Sequence, residues 1–140
     1  MASPEQCVEL VKSESLRIQQ YLGVLSAEDM ARPSACDAWE VRDVVARLSG
    51  GVDLFAANIS RGVQGDSTPP EGLSSAGVSS LMTRLEENTQ RVIDLRQNIG
   101  DQLLTTFTTR CEDLTRLLEG LAGKDWEKLC YHPGKVISVA

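Results

Sequence analysis

The chain has 140 residues, a length that fits one domain, 1–140, and leaves little room for a second. Its apolar fraction of 41% argues against global disorder, and an aromatic share of only 4% favours helices packed through Leu, Val and Ala. A net charge of −6, with no Lys/Arg cluster, argues against nucleic acid as a partner and disfavours an anionic membrane surface.

The N-terminus, Met1-Ala2-Ser3-Pro4-Glu5-Gln6, has no basic stretch leading into an apolar one, so no signal peptide is expected. No apolar run approaches membrane-spanning length. The four cysteines, Cys7, Cys36, Cys111 and Cys130, form no CxxC pair, and reduced thiols in a cytoplasmic protein are the simplest expectation.

The first helix is predicted over about 4–24. Ser3 supplies a cap, Pro4 suits the first position, and Glu5 faces the positive end of the helix dipole. Cys7, Val11, Ile18, Leu22 and Leu25 recur at three-to-four spacing, with Ser15 filling the gap. Ser26-Ala27-Glu28-Asp29 reads as a second cap over a single turn, and Arg32 to Asp37 as a loop around Pro33.

The second helix is predicted over about 40–61, with an apolar stripe of Val41, Val44, Val45, Leu48, Val52, Phe55 and Ile59. Gly50-Gly51 lies inside it and implies either a close approach by another backbone or a kink. Residues 62–77, centred on Pro69-Pro70, read as a loop or crossover.

Leu81, Leu85, Asn88, Val92, Leu95 and Ile99 then space as a heptad, which implies bundle packing. Leu103, Phe107, Cys111, Leu114, Leu118 and Leu121 continue the stripe. Gly100 divides the two runs, and one long kinked helix is the preferred expectation, with Arg84, Glu86, Glu87, Arg91, Asp94 and Arg96 on its outer face.

A weak internal repeat aligns Leu22–Met30 with Leu118–Trp126, pairing Asp29 with Asp125 and Arg32 with Lys128. In the first copy the repeat leads into the second helix. In the second copy a helix should begin near Val136, where the chain stops, so the bundle is expected to lack its last helix.

Leu22-x-x-Leu25-Ser26-x-Glu28-Asp29, Arg32-Pro33-x-x-Cys36-x-x-Trp39-x-Val41-x-Asp43-Val44-Val45-Ala46-x-Leu48, Gly50-Gly51 and Asp125-Trp126 resemble the DinB-like superfamily. Within it, the likeness is to the N-terminal domain of the mycothiol-dependent maleylpyruvate isomerase group. The resemblance implies an all-α, up-down four-helix bundle with pseudo-symmetric halves. It also implies a divalent metal such as zinc on three histidines, one in the second helix and two on the last. The implied chemistry is thiol-linked isomerisation or transfer, with the metal as Lewis acid.

This chain departs from that pattern. Its only histidine is His132, and the second-helix ligand position is Arg47, whose guanidinium has no lone pair to give a metal. No metal ligands, no catalytic residues and no cofactor are therefore expected of this chain by itself. Arg47 is read as the i,i+4 partner of Asp43, with a carboxylate clamp as the sharper alternative. Cys130 and His132 are too few for a zinc site, and His132 reads as a solvent-facing turn residue. Cys36 is the most plausible reactive thiol, though a buried packing role is preferred. Trp39 reads as an apolar anchor with Trp126 as its counterpart, and Glu86-Glu87 and Glu112-Asp113 as solvated charge.

The leading expectation is a domain of this family without a competent metal site. The competing ones are a thiol-dependent isomerase or transferase whose site another chain completes, and a helical interaction module in which a homodimer supplies the absent helix.

Overall fold

The computed structural model describes residues 2–36, 38–70, 81–132 and 135–139, with only the backbone described over 81–85. Helix α1, Pro4–Gly23, starts at a reciprocal cap: the Ser3 N–H donates to Gln6 Oε1 at 2.8 Å, and the Gln6 N–H donates to Ser3 Oγ at 3.3 Å. The one-turn helix α2, Ala27–Met30, has the same device between Ser26 and Asp29. Helix α3, Val41–Val63, begins where Asp43 Oδ2 accepts the Glu40 N–H at 2.9 Å. It extends past the expected end at 61 because Gly62 belongs to its last turn.

The expected single long helix is two helices. Helix α4, Leu81–Ile99, and helix α5, Leu103–Glu119, are separated at Gly100, whose φ of +58° is left-handed and ends the first of them. The two then run in opposite directions along α3. On α4, Leu95 lies against Gly50 and Arg96 against Asp43, nearer the start of α3 than Asn88, which lies towards Ala57. On α5, Phe107 shares a cluster with Val45 and Ala46, and Arg110 reaches Ser49 and Asp53.

Helix α1 lies antiparallel to α5, with Lys12 bridging to Glu119 at 3.0 Å. The result, among the described residues, is an up-down-up-down bundle of four long helices. The repeat implied a last helix near Val136, but the fourth long helix is α5, on the far side of Gly100. Its all-helical class also needs an addition. Strands β1, Leu129–His132, and β2, Lys135–Ser138, form an antiparallel pair with Cys130 opposite Ile137. A strand therefore occupies the place where a helix was expected near Val136.

The core is built on Leu22, Val45, Ala46, Val92, Leu103, Phe107 and Cys111, with Trp39 packed beside it. Helix α3 is central: α4, α5 and β1 all pack on it. Its buried residues are Asp43, Val45, Ala46, Ser49, Asn58 and Gly62, whereas Leu48 and Phe55 of the expected stripe are substantially exposed. Small and polar residues face inward because they let neighbouring elements approach closely. Gly50 and Gly62 mark two such approaches, by the Leu95 side chain and by the β1 backbone.

The internal repeat holds in three dimensions. Asp29 Oδ2 accepts the Ser26 N–H at 3.0 Å, and Asp125 Oδ2 accepts the Ala122 N–H at 2.9 Å. Arg32 pairs with Asp29, and Lys128 pairs with Asp125. These hydrogen bonds hold both carboxyls below the usual Asp range. The first copy forms an α-helical turn and the second a 3-10 turn over Gly123–Glu127, after which one leads into α3 and the other into β1.

The loop read over 62–77 is described as far as residue 70. There Asp66 accepts from the Thr68 hydroxyl and N–H and from Arg61, which lowers its pKa to about 2. Residues 71–80 lie outside the described residues, as does the expected turn at Pro133-Gly134.

Candidate functional site

Sequence reasoning set Arg47 against Asp43. The structure gives Asp43 another partner. It is 2% exposed, and its Oδ1 accepts from Arg96 Nε at 2.8 Å while Oδ2 caps α3. Arg96 is thus turned inward from α4, not on the outer face assigned to it. The Asp43–Arg47 pair is replaced by a cross-helix bridge, and Arg47 has no ion pair among the described residues.

Arg47 instead lines a cleft of 470 Å³ between α3 and α4, with Arg91 and Arg110. Its guanidinium passes along the helix surface over Gly51, where a Cβ would stand 3.4 Å from it. Arg110 is the most enclosed of the three, with 24% of its side chain exposed. It donates to Ser49 Oγ at 3.2 Å, and Asp53 lies 3.9 Å away. Ser49 is fully buried, so that hydrogen bond gives Arg110 a fixed direction. Leu54, Ala57, Val92 and Leu95 form the apolar part of the lining.

Against this geometry, the family model for the mycothiol maleylpyruvate isomerase N-terminal domain matches residues 11–138. The chain belongs to that family. No curated protein and no solved structure matches it. As a member of the mycothiol maleylpyruvate isomerase N-terminal domain family, it carries Arg47 where the resemblance places a metal-binding histidine.

The surroundings of Arg47 do not fit a divalent cation. The cleft holds three guanidiniums and one carboxylate, Asp53, so it repels positive charge, and an arginine side chain offers no donor pair. Among the described residues no group of three or more His, Cys, Asp or Glu side chains comes together as a ligand set.

The other sequence candidates lie elsewhere. His132 is at the end of β1, half-buried and stacked on Phe55 with ring centroids 6.1 Å apart, so it is not a solvent-facing turn residue. With Cys130 and Trp126 it lines a second cavity, of 310 Å³ and largely apolar, at the opposite end of α3 from Asp43. Asn58 borders this cavity. It is 1% exposed, and among the described residues neither atom of its amide has a hydrogen-bond partner. Such an orphan group costs about 1–3 kcal/mol. Asn58→Leu, of similar volume, is therefore expected to raise stability by about 1 kcal/mol, checked by urea unfolding.

Cys36 is exposed, which corrects the buried packing role preferred for it. Its carbonyl accepts the Trp39 N–H at 2.8 Å and ties the loop before α3. All four cysteines are free. Cys111 and Cys130 are buried, and burial pushes both thiols up, which leaves less thiolate. An aromatic disulfide reagent is expected to titrate Cys7 and Cys36 rapidly in the native protein, with Cys111 and Cys130 reacting only on unfolding. Rapid reaction of all four would contradict this burial.

Glu86, Glu87, Glu112 and Asp113 are exposed, in keeping with solvated charge. The residues that sequence reasoning missed are Arg110, Ser49 and Asn58. A polar residue recurring on the buried side of α3 every few positions was the available signal, but periodicity arguments score apolar residues only.

Proposed function

We propose that this domain of the mycothiol maleylpyruvate isomerase N-terminal family acts as a metal-independent binding domain and not as a metal-dependent isomerase. The observation that supports the reading is the meeting of Arg47, which stands where the resemblance implies a ligand, with Arg91 and Arg110 in one cleft. Three cations there favour an anionic ligand and oppose zinc. The reading is tested by dialysing purified protein against zinc and nickel and measuring bound metal. Less than stoichiometric metal is expected, and tight stoichiometric binding would sink it.

A second reading is self-association. It is supported by Leu10, Leu16, Tyr21 and Val24, four large apolar residues exposed on or just after α1. Sedimentation should then show a homodimer, and a monomer at high concentration would refute it.

A further inference from the structure

We infer that the cavity between α1, α3, α5 and the β-hairpin binds a small uncharged aromatic carboxamide, held by the side-chain amide of Asn58. This site goes beyond the reading above. None of its lining residues belongs to the arginine cleft, so neither proposal depends on the other.

Asn58 carries the argument. It lines the 310 Å³ cavity and is 1% exposed, yet among the described residues neither its amide oxygen nor its amide nitrogen has a hydrogen-bond partner. Burial of that kind lowers stability, and a leucine would fill the same space without the loss. A polar group held at such a cost marks a place where function uses it. An Asn amide offers an acceptor oxygen and a donor nitrogen side by side. The group that meets both at once carries a donor beside an acceptor on one edge. A primary carboxamide has that edge.

The walls select the rest of the ligand. Among the described residues no Lys, Arg, Asp or Glu lines the cavity, so nothing there offsets the cost of burying an ionised group. The chain has two Phe, two Trp and two Tyr, and one of each, Phe55, Trp126 and Tyr131, lines this cavity. Their flat faces suit a flat apolar ring, and Val11, Leu114 and Ile137 add aliphatic surface around it. The volume lies at the lower end of the range for small-ligand pockets. A ligand must part the lining to reach the enclosed amide. Phe55 is 45% exposed, so its ring can turn towards solvent and make room.

The probe is benzamide, titrated calorimetrically into the full chain. Saturable one-to-one binding is expected. Acetophenone has the same shape and accepts a hydrogen bond but donates none, so it should bind at least about tenfold more weakly. Benzoate, which is charged, should not bind. Asn58→Leu, whose stability is expected to rise, should weaken benzamide at least about tenfold while toluene binds it no worse than the parent. A merely structural role for Asn58 would move both ligands together. Cys7 is exposed and lines the cavity, whereas Cys36 is exposed and does not. Bound benzamide should therefore slow the reaction of Cys7 with a thiol reagent and leave that of Cys36 unchanged, read by peptide mapping. The inference is overturned if benzamide does not bind saturably, if acetophenone or benzoate binds as tightly, or if Asn58→Leu keeps the parent's affinity for benzamide. Benzamide that binds but leaves Cys7 as reactive as before would overturn the assignment to this cavity.

Discussion

Asp43→Ala is expected to lower the stability of the domain by about 3 kcal/mol, measured by urea unfolding. The carboxylate is 2% exposed and serves two partners at once, the Glu40 N–H that opens α3 and the Arg96 guanidinium from α4. Its removal leaves a helix terminus uncapped and a guanidinium, 21% exposed, without its counter-charge. Because Arg96 keeps some access to water, the cost belongs at the lower end of the range for broken buried pairs. Asp43→Asn keeps an acceptor for the cap and should cost less. If the bridge is the main contribution, Arg96→Met in the Asp43→Ala background should add little further loss. A loss below about 0.5 kcal/mol in Asp43→Ala would contradict the bridge altogether.

Gly62→Ala is the second large effect, and it arises from space. A Cβ at this position would stand 2.5 Å from the Leu129 carbonyl oxygen, 2.6 Å from Cys130 Cβ and 2.9 Å from Cys130 Cα. None of these atoms can swing aside as a long side chain would, so β1 must move off α3. The expected cost is about 2 kcal/mol, and faster amide exchange along β1 should accompany it. Gly23→Ala is the control, since nothing lies within 4 Å of a Cβ there. Equal behaviour of the two variants would mean that the hairpin does not seat against Gly62.

Much of the local structure was legible. Ser3, and Ser26 with Asp29, announce helix starts because their side chains are chemically complementary to backbone N–H groups only a few residues away, and Pro4 because its fixed φ suits the first helical position. The repeat relating Asp29 to Asp125 and Arg32 to Lys128 was legible for the same reason: each copy is a short-range arrangement that two similar stretches of chain reproduce. Family membership followed from the stretch around α3.

The misreadings share a different origin. Gly100 was visible as an interruption, but whether the chain kinks or reverses depends on what α3 offers on either side of it. Arg96 and Arg91 looked alike as surface charges of one helix; one is turned into Asp43 and the other lines the cleft, because of where α3 lies. The inward-facing side of α3 was misjudged since Ala46, Ser49 and Gly62 are buried for their small size, which periodicity of apolar residues does not register.

By itself, then, the sequence determined what local chemistry dictates: the caps, the helical class, the repeat, the family, and an arginine where a metal ligand is implied. Only the tertiary structure decided the reversal at Gly100, the Asp43–Arg96 bridge and the meeting of Arg47, Arg91 and Arg110 in one cleft. Those arginines are separated by 44 and then 19 positions in the chain, as 91 − 47 and 110 − 91, and no local rule links them. They meet because α4 and α5 both dock on α3 in opposite directions.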